Sequence, residues 1–163
     1  MTTRKRSGAT GKVFLLVVIW LLLLVILHSS GVRIMMVRGS SMKPTFHDRE
    51  LVIGFIIKDI LHLERGDVAT FYPIASSPNI YIKRIVGLPD DILEARSDLL
   101  FVNGVSEGIS RTGTGTWGPI TVPPNAVFVM GDNRAVSIDS RTIGCIPLQQ
   151  ICAKVIGKSV PMP

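Results

Sequence analysis

Residues 80–86 read Ile-Tyr-Ile-Lys-Arg-Ile-Val. Strict alternation in a strand sends successive side chains to opposite faces. Tyr81, Lys83 and Ile85 then share one face, and Ile80, Ile82, Arg84 and Val86 the other. Seven residues this rich in β-branched and aromatic types form a strand, not a helix. A lysine in its middle has two readings. Either it snorkels to the rim beside Arg84, or it is desolvated, and its ammonium is then disfavoured so that the pKa falls from ~10.4 toward neutral. A neutral amine can take a proton from a hydroxyl.

Outward from this run the same texture repeats. Val32 to Val37, Glu50 to Ile57, Asp67 to Tyr72, Leu99 to Val102, Val127 to Met130 and Cys152 to Ile156 are short apolar runs between turn residues. Asn103-Gly104 marks a tight hairpin turn. Residues 107–119 are rich in glycine and threonine and read as an exposed loop or a weak hairpin. No long 3.6-residue period occurs after residue 30. The expected fold is all-β, a small antiparallel, barrel-like domain of short strands over residues 31–163, with no internal repeat.

The N-terminus differs. Val13 to Leu27 contains no polar side chain except the Trp20 indole, and Arg4, Lys5, Arg6 and Lys12 precede it without an acid among the first twelve residues. The whole chain has 18 basic and 12 acidic groups, net +6, so this flank holds most of the excess. A basic flank on an apolar block is a topology signal, not a nucleic-acid surface. Fifteen residues make a helix of ~22 Å, against a hydrocarbon core ~30 Å thick. The expectation is a basic cytoplasmic flank (1–12), a retained single-pass transmembrane anchor (13–30) and an exported domain; a cleavable signal peptide is the other reading. Cys145 and Cys152 fit either a disulfide, worth ~2–3 kcal/mol for so short a loop, or two buried thiols.

Three segments hold the chemistry. Gly39-Ser40-Ser41-Met42-Lys43-Pro44-Thr45 follows the first strand. Lys83 stands in the strand quoted above. Gly131 to Arg141 (GDNRAVSIDSR) packs two acids, two serines and two arginines behind an apolar strand, and alone would read as a solvated polar loop. His28, His47 and His62 lie in no context that shapes them as a base for a serine, and read as surface or interface residues.

Taken together and in this order, the segments resemble the motifs of the type I signal peptidases, a Ser/Lys peptidase family. The resemblance runs from about Val37 to Ile156. It implies a serine endopeptidase that removes N-terminal signal peptides, with Ser41 as nucleophile, Lys83 as general base, Ser137 orienting the amine, and Asp139 and Arg141 structural. It implies no metal and no cofactor. The partners it implies are the lipid bilayer and a preprotein with small side chains at the first and third positions before the cut. Met42 and Ile82 are the expected walls of the pockets for those side chains. The implied location is the inner membrane, with the N-terminus cytoplasmic and the catalytic domain periplasmic.

Two positions depart from the family pattern. Asp90 follows Leu88-Pro89 where glycine is usual. Gly39 stands where some members carry a hydroxyl that helps hold the oxyanion, leaving the Ser41 N–H as the one donor that carries over. Two other readings accompany this one. A conjugative-transfer peptidase that matures a pilin precursor belongs to the same superfamily, and a non-catalytic membrane-tethered β protein would fit if Ser41 and Lys83 lay far apart. Self-cleaving repressors share the dyad but are soluble and carry a DNA-binding helical domain.

Overall fold

The computed structural model describes residues 7–56, 63–74, 78–111, 113 and 115–158, with His62 outside this set. The chain divides into two compact units, Met1–Val32 and Arg33–Pro163. In the first, helix α1 spans Ser7–Ser29. Its described side chains cover residues 11–25, and all but Val18 are exposed. These 15 residues make about 22 Å of helix at 1.5 Å per residue. Among the described residues no helix is long and apolar enough to cross a membrane.

The second unit is antiparallel and mostly β, as the runs of short apolar segments led one to expect. Its strands are β1 (Val32–Met36, beginning at the unit boundary), β2 (Leu51–Ile56), β3 (Val68–Phe71), β4 (Tyr81–Gly87), β5 (Ile92–Arg96), β6 (Leu99–Val102), β7 (Val105–Arg111), β8 (Trp117–Thr121), β9 (Ala126–Met130), β10 (Ile146–Pro147) and β11 (Ile151–Lys158). They form a seven-stranded sheet in the order β1-β2-β11-β3-β4-β9-β10 and a four-stranded sheet in the order β7-β6-β5-β8. A four-residue helix, α2 (Ser140–Ile143), follows β9.

The segment read as a loop or weak hairpin is in fact parts of two strands that do not pair with each other. β7 pairs with β6, and β8 pairs with β5. Gly118 explains why β8 is glycine-marked. Its φ is +91°, and a Cβ there would stand 2.7 Å from the Leu93 carbonyl oxygen. The absent side chain lets β8 close onto β5 in a conformation that L-residues avoid.

Buried side chains fall into three groups. Val86, Leu93, Leu100, Phe128 and neighbours join the four-stranded sheet to β4 and β9, and Trp117 stacks on Phe128 with ring centroids 5.7 Å apart. Phe71, Ile85, Val127 and Val129 make the second group. The third, Val37, Met42, Phe46, Val52 and Val68, lies under the segment that holds Ser41. The Leu88–Asp91 turn links the two sheets. Asp91 accepts from the Leu88 N–H at 2.7 Å and from both sides, Arg65 at 2.9 Å and Asn103 at 2.8 Å. Asp90 sits in this turn with φ 67°. The family's usual glycine is thus replaced by one of the few residue types that enter the left-handed region without great strain, and the turn is kept. Cys145 and Cys152 are free thiols, not a disulfide.

Candidate active site

The turn that carries Ser41 is built from its neighbours. After β1, the Val37 N–H donates to the Glu50 carbonyl and the Arg49 N–H donates back to the Val37 carbonyl, each at 2.8 Å. Gly39 then turns the chain with φ +89°, and its N–H donates to Asp48 Oδ1 at 2.7 Å. Lys43 N–H to Ser40 O and Phe46 N–H to Met42 O close the turn. Met42 and Phe46 fasten it to the core, and burying each contributes about 1.5–3 kcal/mol. The turn is therefore held on both sides of Ser41, by backbone bonds before it and apolar anchors after it.

Met42 is thereby accounted for, and not as a wall of a substrate pocket. It is 1% exposed and packs downward against Val37 and Val52. A methionine beside a nucleophile can face either way, and here the need to anchor the turn decides it. Ile82, by contrast, does line the groove beside Ser41. This groove has a volume of about 730 Å³, with β1 residues Met35 and Met36 on its walls, residues 78–83 leading into β4, and Val136 and Ile138 from the segment after β9.

Lys83 projects from β4 between β3 and β9, with Ala69 as its cross-strand neighbour. Its side chain is buried, with the residue 4% exposed, and its Nζ lies 5.6 Å from the centroid of the Tyr81 ring. Nζ donates to Ser41 Oγ at 2.7 Å. Burial pushes the lysine pKa below its ordinary value, and the nearby carboxylates of Asp139 and Asp132 offset only part of this. Of the two readings open for Lys83, the desolvated one describes the structure. Ser40 is exposed, and among the described residues its hydroxyl makes no hydrogen bond with Lys83. Among the described residues the Ser41 N–H donates to no acceptor.

The segment after β9 is a scaffold for this pair. The Asn133 N–H donates to the Ser41 carbonyl at 2.9 Å, and Asn133 Nδ2 donates to the Ser40 carbonyl at 3.2 Å. Asp139 is fully buried and accepts from the Gly131 N–H at 2.9 Å and from Arg141 Nε at 2.8 Å. Arg141 also donates to the Arg134 carbonyl at 2.7 Å, so it ties both ends of the segment together. Burial pushes the Asp139 carboxyl up, but Arg141 and the Gly131 N–H together hold it below the usual range. Ser137 Oγ is buried and, among the described residues, makes no hydrogen bond, to Lys83 or to Asp139.

Sequence reasoning missed the residues that join the three segments. Arg84 Nε donates to Asp132 Oδ1 at 2.8 Å and Nη2 donates to Oδ2 at 2.6 Å. Arg84 also donates to the Gly66 carbonyl at 2.6 Å and to Thr45 Oγ1 at 3.4 Å. Lys158, on β11, donates to the Thr45 carbonyl at 2.7 Å and lies 3.8 Å from the buried Glu50. The available signal was the charge on Arg84 and Asp132, one residue from Lys83 and from Gly131, with no apparent partner in the chain order.

With this geometry in place, comparison with known proteins is informative. The family model described as signal peptidase, peptidase S26, matches residues 10–159. A signal peptidase I of Bacillus amyloliquefaciens is 38% identical over 130 residues, which cover 71% of this chain and 69% of the relative. Signal peptidase I S of Bacillus subtilis (strain 168) is 37% identical over 133 residues, 71% of this chain and 70% of the relative. The crystal structure of a signal peptidase I from Enterococcus faecalis V583 aligns with a TM-score of 0.50 at 28% identity, over 61% of this chain and 100% of that one. The chain belongs to the signal peptidase family, peptidase S26, and is a serine endopeptidase of the signal peptidase I type.

Proposed function

We propose that this peptidase removes N-terminal signal peptides from exported preproteins, with Ser41 as nucleophile and Lys83 as its general base. The observation that carries the assignment is the 2.7 Å contact between Lys83 Nζ and Ser41 Oγ, made by a lysine that is 4% exposed. It also weighs against a non-catalytic scaffold, which needs no such contact.

The chemistry follows from the burial. In its neutral form Lys83 accepts the Ser41 proton while Oγ attacks the scissile carbonyl carbon. Negative charge develops on the carbonyl oxygen, and the uncommitted Ser41 N–H donates to it; one such donor is typically worth ~3–4 kcal/mol. Gly39 supplies no side-chain donor, and its N–H is held by Asp48. Lys83 then gives the proton to the leaving amine and the peptide bond breaks, leaving an ester on Ser41. Water, deprotonated by the same amine, hydrolyses the ester. Ser137, whose buried hydroxyl is unbonded in the resting site, turns to orient the amine between these transfers. Asp139 and Arg141 hold the segment that carries it.

The substrate side of the reading rests on the relatives, named signal peptidase I, and on the groove, whose walls are apolar at Met35, Met36, Ile82 and Val136. Ile82 borders the small-residue pockets. The basic N-terminus, the run from Val13 to Leu27 and the family's substrates support an inner-membrane anchor with the domain after residue 31 on the periplasmic side. Fourteen residues from Leu27 to Ser41 span at most ~46–50 Å even when fully extended, so the nucleophile works near the bilayer surface.

The test uses the full chain in detergent micelles and in membrane vesicles. Lys83→Ala is expected to lower preprotein cleavage by about 10³-fold or more while the protein stays folded. Protease added to the periplasmic face is expected to digest residues 33–158. Normal cleavage by Lys83→Ala contradicts the dyad, and a protected domain contradicts the topology.

A further inference from the structure

Arg38 lies on the groove, three residues before Ser41. It is exposed, and among the described residues its guanidinium forms no hydrogen bond or ion pair. Apart from Lys83 it is the charged residue among the described groove-lining side chains, and no carboxylate lines the groove. Asp48, in the same turn, accepts from the Gly39 N–H and lies 3.8 Å from Arg49. Met36, Ile82 and Val136 give the wall its apolar stretches, and its other polar side chains, Ser40, Ser41, Thr70, Asn79 and Tyr81, are uncharged. A guanidinium is a fork of donors that matches a carboxylate two-to-two, and it does not lose its charge at any pH where the enzyme works.

We infer that Arg38 is a specificity-determining residue, which makes this enzyme prefer preproteins carrying an aspartate or glutamate close to the cut. This deepens the reading of the groove as the substrate site and rests on it. The range is set by the chain. Arg38 is three steps along the chain from Ser41, at most ~10 Å of backbone, so the acid stands within about three residues of the scissile bond. A substrate lysine at the same place meets like charge with no acid in the wall to relieve it. The pair forms at an open groove, so the discrimination is of the size of an exposed ion pair and is screened by salt.

The experiment takes a synthetic peptide of a cleavage region, with alanine at the first and third positions before the cut, and the full chain in micelles. Each other position within three residues of the cut is made Glu, Gln or Lys in turn. The quantity read is the ratio of kcat/KM for the Glu peptide to that for the Lys peptide within each enzyme, so that losses common to all peptides cancel. At one position the unaltered enzyme is expected to give a ratio of roughly 5–10 at low salt, falling toward 1 at 0.5 M salt. Arg38→Gln brings it close to 1, and Arg38→Glu inverts it. A ratio of 1 at every position in the unaltered enzyme, or an acid preference that survives Arg38→Gln, overturns the inference. Ser41→Ala is run beside these. Cleavage that persists in Ser41→Ala contradicts the dyad itself, whereas cleavage that needs Ser41 but ignores charge contradicts only the role of Arg38.

Discussion

Arg84 and Asp132 form a two-bond ion pair, 2.8 and 2.6 Å, across the β4–β9 border beside the Lys83–Ser41 contact. Lys83 and Arg84 are adjacent on β4, as are Gly131 and Asp132 in the following segment, so the pair sets how the base-bearing strand meets the segment that holds the Ser41 carbonyl. Burial pushes the Asp132 carboxyl up, but Arg84 and Thr45 hold it below the usual range.

From this pair comes the first prediction. Asp132→Asn leaves Arg84 half-buried without its partner and is expected to cost about 2–4 kcal/mol of stability, read by denaturant unfolding. The sign of the pH dependence is fixed by the direction of the shift. A carboxyl whose folded pKa is depressed contributes stability above its unfolded value, near 3.8, and loses it as the pH falls through the folded value. The difference between the two proteins therefore narrows in acid. A gap that stays constant from pH 7 to pH 2 contradicts this role.

Gly131 is tight in a way that bears on rate. A Cβ there would stand 2.5 Å from the Ser41 carbonyl oxygen and would also meet Ser137 Oγ. The serine side chain can rotate away, but the Ser41 backbone cannot move without taking Oγ with it. Gly131→Ala is expected to lower kcat by about 10²-fold, the usual effect of a displacement near 1 Å, with a stability loss of about 1–3 kcal/mol. Steady-state kinetics beside thermal unfolding separate the two. Full activity in a folded Gly131→Ala protein contradicts the placement.

Asp90, at φ 67°, offers a backbone test. Asp90→Val puts a β-branched residue into the left-handed region and is expected to cost about 1–2 kcal/mol. Asp90→Gly relieves that strain but frees the unfolded chain, so its effect is expected within about 1 kcal/mol of zero. Equal losses from both replacements would mean that the aspartate side chain, rather than the turn, matters here.

Lys83 ties activity and stability to pH in the same direction. Burial lowers its folded pKa, so between that value and 10.5 the unfolded chain binds more protons than the folded one. Stability from this group therefore rises with pH across that window. Lys83→Met removes the penalty and is expected to be more stable at neutral pH, by about 0.5–2 kcal/mol, with the margin shrinking as the pH approaches 10.5. The kcat/KM of the unaltered enzyme rises through the same lowered pKa as the amine becomes neutral. A Lys83→Met protein that is less stable at every pH contradicts the desolvated assignment.

Much of the fold was legible because its strands are dense in Val, Ile and Phe. β2, β3, β4, β6 and β9 all fall where alternation or apolar runs placed them. β5 was hidden by Glu94 and Arg96, which interrupt a five-residue strand with charge. β8 was hidden by Gly118, a residue that reads as loop but serves close approach to β5. At the site, Ser41 and Lys83 stood out because a serine after a turn and a lysine in an apolar strand need explaining. Met42 was misplaced because apolar side chains near a nucleophile look alike whether they face substrate or core. Arg84 and Asp132 went unseen because their pairing is long-range, 48 residues apart, and nothing local points from one to the other.

The assignment of the nucleophile is tested most directly by two single substitutions in one preprotein-cleavage assay. Ser41→Ala is expected to abolish cleavage with the protein still folded, and Ser40→Ala, which alters an exposed side chain not bonded to Lys83, to keep most of it. An inactive Ser40→Ala beside an active Ser41→Ala would contradict the account.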